Sequence, residues 1–356
     1  MASLGFSDLS HDAQLDRLES LARDALSEHY GFDGALLAME AQQYEDNAVW
    51  RVTERGSDAA FMARLSVRDG RSAHQQQSEM RWLESLAASG TVAVPEPVKA
   101  GDGSFVVPVA VPGHGEASSL AVFHWVPGTA DPPYQRPGTA ESMGSVTAHL
   151  HENALEVSLQ DFDRPVWDAR TILLDGHALT SEAARRQLGD QGVATLRDIA
   201  ASITPLLESG EPGDSGRIHA DLHRGNMIAL PDGSVGVIDF DDCGTGRFLL
   251  DIATVLSSVY RAAGGEPEAY AAFADAYLAG YSRVRPLPKG FDDLLEAHLL
   301  LRDTIILNFV TAAVPVNAAV AEWGPQRIAG ILASMAEHLE GRPYPGTIRR
   351  QGAHPQ

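Results

Sequence analysis

Two short apolar runs, Met227 to Leu230 and Val235 to Ile238, flank the turn-forming stretch Pro231-Asp232-Gly233-Ser234, and together they specify a β-hairpin. In the simple register Leu230 faces Val235 and Met227 faces Ile238, so Asn226 stands opposite Asp239 where the strands part. Directly opposed residues have Cα atoms about 4.5 to 5.5 Å apart. An amide oxygen beside a carboxylate suits a hard divalent cation such as magnesium, which takes oxygen ligands and leaves positions for water and phosphate. Asp221, in the polar loop before Asn226, adds a third oxygen group that can accept the proton of an attacking hydroxyl.

Turn chemistry alone places Asp, Asn and Gly near many hairpins. Here Asp221, His223, Gly225, Asn226, Asp239, Asp241 and Asp242 crowd around two apolar strands, which is denser than turns require. His219 and His223 have the spacing of a helical HxxxH metal site, but the segment does not read as a helix and the HExxH form is absent, since Ala220 and Asp221 follow the first histidine.

The rest of the chain frames this island. Its 356 residues suffice for two modest domains or one large one, and 44% apolar content is ordinary for a globular protein. No apolar run is long enough for a membrane span, and the N-terminus lacks a signal-peptide pattern, so a soluble cytoplasmic protein is expected. One cysteine, Cys243, excludes an internal disulfide and a thiolate zinc site, and reads as a small packed residue. A net charge of -21 argues against nucleic acid or anionic membrane as a partner. Lys99 and Lys289 are the only lysines, so nearly all cationic groups are arginine.

Residues 11 to 30 place Leu15, Leu18, Ala22 and Leu26 on one helical face. From Leu36 to Val67, runs broken by Glu45-Asp46-Asn47 and Arg55-Gly56-Ser57-Asp58 predict three antiparallel strands. Residues 74 to 89 read as helix, Thr91 to Pro97 as extended, and Ser104 to Ala110 and Leu120 to Val126 as two further strands. Pro127-Gly128 and the proline-rich stretch after it mark a boundary between an N-terminal lobe (1–126) and a C-terminal lobe (127–342), with a tail at 343–356. Helical patterning follows at 139–154, 181–209, 248–263, 266–283, 291–313 and 323–340, interrupted by the β-rich island at 217–241. Within 74–89, Met80, Trp82, Leu83, Leu86 and Ala87 form an apolar stripe with Glu79 near its centre. An acid facing a core needs a partner, and Arg64 on the preceding strand offers one that can also contact phosphates. A purely structural ion pair is the alternative.

His219-Ala220-Asp221-Leu222-His223-Arg224-Gly225-Asn226, then Ile238-Asp239-Phe240-Asp241-Asp242 and Leu250-Asp251-Ile252-Ala253, resemble the aminoglycoside phosphotransferase and choline kinase family. Homoserine kinase type II and the bacterial stress response kinase are similar. The resemblance implies an α/β (α+β), two-lobed, protein-kinase-like fold: a small antiparallel-sheet N-lobe, a larger mainly helical C-lobe, and ATP in the cleft between them. It assigns Asp221 as catalytic base, Asn226 and Asp239 as magnesium ligands and Asp251 as a brace of the catalytic loop, with His219 and Asp241 in supporting positions of the signature. Tyr44 to Val52 is similar to the family's nucleotide loop, so Asn47 and turn backbone would contact phosphates, although the G-x-G-x-x-G of protein kinases is missing. Leu120 to Gly128 is similar to the strand and linker that bind adenine, which brings in Phe123 and Trp125; plain packing is the other reading of Trp125. No lysine is available at the strand position kinases usually give to Lys, and Arg64 stands there. No G-x-x-x-x-G-K-[ST] loop occurs.

The implied activity is transfer of the γ-phosphate of MgATP to a hydroxyl of a small molecule of aminoglycoside, amino alcohol or hydroxy amino acid type. The acidic helical lobe is compatible with a cationic acceptor. A protein serine/threonine kinase and a non-catalytic ATP-binding scaffold are the alternatives; the short interval from Asp239 to Asp251 leaves no obvious activation segment, and a scaffold has no need of a base. Oligomeric state is left open. His149 and His151 are expected to pack or cap, and Arg302 either faces the substrate or pairs with an acid such as Asp303.

Overall fold

The computed structural model describes residues 6, 9–44, 47–67, 71–112, 118–209, 211–264 and 266–348. The chain divides into two compact units, one formed by Met1–Pro127 with Leu159–Asp163, the other by Gly128–Ser158 with Arg164–Gln356.

The first unit opens with α1 (His11–Tyr30), started by the Ser10 side chain accepting from the Ala13 amide and ended by Gly31 at φ 76°. β1 (Leu37–Tyr44), β2 (Asn47–Glu54) and β3 (Ala60–Ser66) follow as an antiparallel meander. Glu45 and Asp46, at the turn expected between the first two, lie outside the described residues. α2 (Ala73–Ser89) begins with a capping box between Ser72 and Gln75. β4 (Pro97–Val98) and β5 (Val106–Val109) then both pair with β6 (Ser118–His124), giving the order β1-β2-β3-β6-β4. Residues 91–96 carry no ladder, and Pro95 removes one of the donors a strand there needs. Alternate residues of β2 point inward, and Trp50 and Val52 join Leu65 and Val122 beneath Leu18, Ala22 and Leu26 of α1.

Leu159–Asp163 returns to this unit, a feature that a linear boundary near Val126 does not contain. Ser78 on α2 holds it, donating to the Asp161 carbonyl at 3.4 Å and accepting from the Asp163 amide at 3.0 Å.

The second unit begins with β7 (Thr129–Ala130) and α3 (Thr139–Glu156). β8 (Val166–Trp167), a wide helical turn at Arg170–Leu174 and α4 (His177–Thr180) occupy a stretch whose sequence has no readable period, since elements of two to five residues are too short to repeat one. α5 (Glu182–Glu208) is interrupted at Gly189, where φ is 69° and ψ 167°, so the segment read as one helix is two across a kink. The β-rich island contains β9 (Ser215–Ile218), β10 (Met227–Ala229), β11 (Val235–Val237) and β12 (Gly244–Arg247). β11-β10-β7 form one small sheet and β8-β12-β9 another. α6 (Phe248–Ala262), α7 (Pro267–Val284), α8 (Phe291–Ala313) and α9 (Ala318–Leu339) complete the unit. Gly144 on α3 and Gly280 on α7 let these helices touch backbone to backbone: a Cβ at Gly144 would lie 1.9 Å from the Tyr277 carbonyl oxygen. No helix among the described residues is long and apolar enough to cross a membrane.

His298, buried in α8, engages the Leu294 carbonyl through Nδ1 at 2.8 Å, and burial pushes its pKa down to about 4 against that bond. Between the unfolded value of about 6.5 and the folded value the unfolded chain holds more protons, so stability rises with pH across that window. Acidification from pH 7 to 4.5 is expected to cost about 2 to 3 kcal/mol through this residue, and His298→Leu should lose that part of the pH dependence in urea titrations. An unchanged pH slope in the variant would contradict a neutral buried His298.

Candidate active site

After β9 the chain makes a sharp turn at His219-Ala220, where Ala220 has φ 66°, a left-handed conformation that costs an L residue about 1 to 2 kcal/mol. The side chain of Asp251, in the first turn of α6, offsets that strain. It accepts the His219 amide on Oδ2 at 2.9 Å and the Ala220 amide on Oδ1 at 2.8 Å, and it is fully buried. His151 of α3 reaches the same carboxylate with Nε2 at 3.3 Å, and its Nδ1 meets the Tyr281 hydroxyl of α7 at 2.9 Å. Burial lowers the His151 pKa and outweighs the pull of Asp251, so the ring is neutral, Nε2–H donates to Asp251 and Nδ1 accepts from Tyr281. His219 is also buried; its Nε2 meets the Ile238 carbonyl at 2.9 Å and its ring lies 4.7 Å from that of Phe240.

This turn presents Asp221, whose side chain is 26% exposed. Asn226 donates from Nδ2 to the Asp221 carbonyl at 2.9 Å and approaches Asp221 Oδ2 at 3.4 Å, which leaves Asn226 Oδ1 uncommitted. His223 takes the Gly225 amide on Nδ1 at 2.9 Å and places Nε2 3.5 Å from Asp221 Oδ2. His219 and His223 lie between β9 and a short helical turn and so do not share a helix face, and no group of three His, Cys, Asp or Glu suited to a metal exists among the described residues. Burial alone would raise the Asp221 pKa, yet the Arg302 guanidinium, with His223 and His219, carries it below the usual carboxylate value. Arg302 Nη2 lies 2.6 Å from Asp221 Oδ1. Arg302 therefore pairs with Asp221 and not with Asp303, which instead takes Tyr344 Oη at 2.7 Å and Arg327 at 3.2 Å.

The hairpin register differs by one residue from the simple one. Met227 faces Val237 and Ala229 faces Val235, and Leu230 closes the loop against Ser234, so Asn226 pairs with Ile238 and Asp239 stands one residue beyond. The cause is a three-residue loop: Gly233 takes φ 88°, and Asp232 Oδ1 caps the Ser234 amide at 2.9 Å. Asp239 is itself left-handed, at φ 62° and ψ 64°, and exposed. A tight helical turn, Phe240–Asp242, follows it directly. Arg164 holds that turn by donating to the carbonyls of Asp241 and of Cys243, the latter at 2.9 Å, and Trp167 donates to the Asp242 carbonyl at 3.0 Å. No motif marks Arg164 or Trp167 for this role, since neither lies near the island in the chain.

In the first unit Arg64 and Glu79 form a two-bond pair at 2.9 and 2.8 Å, 5% and 1% exposed. Phe123 is buried with its ring 5.2 Å from the Arg64 guanidinium, while Trp125, past the end of β6, carries the Arg51 guanidinium 5.5 Å from its ring. Asn47 opens β2 opposite Ser66. A cavity of about 500 Å³ in the second unit, lined by Trp167, Leu207, Arg247, Leu250 and Leu301, shares Trp167 with the turn after Asp239 but includes none of Asp221, Asn226 and Asp239.

The model of the phosphotransferase enzyme family matches residues 41–287. The chain belongs to this family. It is a phosphotransferase acting on hydroxyl acceptors. Amicoumacin kinase of Bacillus subtilis (strain 168) is 25% identical over 269 residues, 73% of this chain and 76% of that protein. The solved structure of a microcompartment-associated aminopropanol kinase is similar at a TM-score of 0.75 and 25% identity, covering 93% of this chain and 99% of that one. The structure of the amicoumacin kinase hAmiN, in complex with AMP-PNP, Ca2+ and Ami, shares the fold at a TM-score of 0.70 and 21% identity, covering 91% and 96%. The match to these phosphotransferases makes the mixed α/β architecture, a sheet-bearing unit followed by a mainly helical one, that of the protein-kinase-like fold.

Removing Asp251 would leave two buried amides and a buried histidine without their acceptor. Asp251→Ala is expected to lower stability by about 3 to 5 kcal/mol in urea unfolding. A loss under 1 kcal/mol would show that the Ala220 turn is held by something else.

Proposed function

We propose that this phosphotransferase moves the γ-phosphoryl group of MgATP to a hydroxyl of a small molecule of amino alcohol, hydroxy amino acid or aminoglycoside type. The observation that carries the reading is Asp221, held rigidly on one oxygen while the other stays weakly engaged beside Asn226. Asp221 Oδ2 receives the proton of the acceptor hydroxyl and orients that hydroxyl for in-line attack.

The donor set fits a hard divalent cation. Asn226 Oδ1 is the free acceptor atom of an amide whose nitrogen is already committed, and Asp239 is exposed at the end of its strand. Bound there, magnesium would supply neutralisation of phosphate charge. Asp251 and His219 keep the loop in place, and the Asp241 carbonyl, held by Arg164, fixes the turn that follows Asp239. In the first unit Arg64, oriented by Glu79 and backed by Phe123, serves the nucleotide phosphates together with Asn47, and Trp125 serves the base.

Small acceptors are favoured over proteins by the interval from Asp239 to Asp251, which the tight turn, β12 and the start of α6 occupy with only Cys243 between them, leaving no room for an activation segment. The aminopropanol kinase to which the chain is similar points to an acceptor bearing an amine, and the net charge of -21 is compatible with one.

ADP release measured across aminoglycosides, choline, homoserine, hydroxylysine and 1-amino-2-propanol is expected to reveal at least one acceptor. With it, Asp221→Asn should lower kcat by about 100- to 10,000-fold and leave nucleotide affinity within twofold. Asp239→Ala should in addition weaken metal-dependent nucleotide binding. Label transferred from ATP only to protein, with every alcohol inert, would favour the protein-kinase alternative.

A further inference from the structure

Arg302 lies in the most apolar stretch of α8, among Leu299, Leu300, Leu301 and Leu307, and its side chain is 8% exposed. A buried guanidinium demands an anion and hydrogen-bond acceptors, and the choice of partner is the informative part. The neighbouring Asp303 is turned to Tyr344, Arg327 and Arg261. Arg302 reaches instead across 81 residues of sequence to Asp221 Oδ1 at 2.6 Å, with Nη1 3.5 Å from the carbonyl oxygen of Ala220. Its Nε has no partner among the described residues, so the guanidinium is committed to the one peptide that follows the left-handed turn.

The two oxygens of Asp221 are thereby made unequal. Oδ1 is taken by a short charge-assisted bond. Oδ2 has only long approaches, 3.4 Å from Asn226 Nδ2 and 3.5 Å from His223 Nε2. A carboxylate on a short side chain can otherwise rotate about χ2 and exchange its oxygens, because terminal sp³–sp² torsions are broad. With Oδ1 fixed, Oδ2 is the only oxygen left to meet an acceptor hydroxyl.

Resting on the reading of Asp221 as base, we infer that Arg302 is a positioning residue of the transfer reaction: it locks one Asp221 oxygen so that the other is aimed at the acceptor hydroxyl. Arg302 acts through Asp221 and touches neither phosphate nor acceptor. Its effect belongs to kcat, and it vanishes when Asp221 no longer acts.

The experiment is a double-mutant cycle between Arg302→Met and Asp221→Asn, with Arg302→Lys as the conservative variant. Single-turnover loss of the labelled γ-phosphate of ATP to water, at enzyme in excess, serves as the rate, and AMP-PNP titration reports nucleotide affinity. Expected is a drop of about 10- to 100-fold for Arg302→Met, with AMP-PNP affinity within twofold and thermal unfolding still cooperative. Arg302→Lys should recover part of the loss, and Arg302→Met should cost nothing further in the Asp221→Asn background. A wild-type rate in Arg302→Met overturns the inference, as does an independent, multiplying loss in the double variant, which is what general destabilisation gives. If Arg302→Met does not fold, a wild-type rate or a multiplying loss from Arg302→Lys has the same force. Should Asp221→Asn alone leave the rate unchanged, the assignment of the base fails first and this inference with it.

Discussion

A buried carboxylate accepting two consecutive backbone amides is the contact on which the rest of the site depends. Asp251 takes the His219 and Ala220 N–H groups at 2.9 and 2.8 Å, and in doing so it holds an alanine at φ 66°. Without that clamp the chain has no reason to turn where it does. Asp221 would then lose its fixed relation to Asn226, to Arg302 and to the hairpin. The clamp is backed by neutral His151, stacked on Phe248 with ring centroids 4.3 Å apart, and His151 by Tyr281. Tyr281 in turn accepts from Arg285 at 3.0 Å, so the polar chain runs from the His219–Ala220 turn through α6, α3 and α7. The backbone contact of α3 and α7 at Gly144 and Gly280 keeps those helices at the separation this chain needs.

The near absence of lysine has a structural counterpart. Both lysines pair with exposed glutamates, whereas several arginines reach inward and hold turns and helix ends by their carbonyls. Arg164 binds the turn after Asp239, Arg217 donates to the carbonyls of Asn153 and Val157, and Arg247 donates to that of Leu207 at 3.0 Å. A guanidinium presents several donors in a fixed plane and can satisfy two acceptors at once, which an ammonium on a flexible stem does less well. Some arginines of this acidic chain thus hold turns and helix ends, while others, such as Arg186 and Arg342, pair with exposed acids as the lysines do. Arg302 on Asp221 and Arg64 on Glu79 are the same device applied to carboxylates.

Much of this was legible in the sequence because it is local. The hairpin follows from two apolar runs and a turn, and helix α2 follows from its stripe with Glu79 inside it. The hairpin register was not legible to within one residue, since it depends on Gly233 adopting a left-handed conformation that makes the loop three residues long. Short ladders such as β7 and β8 have no period to read. The partners of Asp221 and Asp251 were hidden for a different reason. Arg302 and His151 meet Asp221 and Asp251 across 81 and 100 residues, and no spacing rule links positions that only the packed fold brings together. Arg302 was visible as a charge in an apolar helix, but its two candidate destinations, a neighbouring acid and the reaction site, differ only in three dimensions.

The most direct test is a crystal structure grown with AMP-PNP and manganese, whose anomalous signal locates the ion without ambiguity. The account predicts a peak about 2 Å from Asn226 Oδ1 and from a carboxylate oxygen of Asp239, with Asp221 Oδ1 still on Arg302 and Oδ2 open to the terminal phosphate's attack line. A metal bound away from Asn226 and Asp239, or an Asp221 side chain turned from them into the protein, would contradict it.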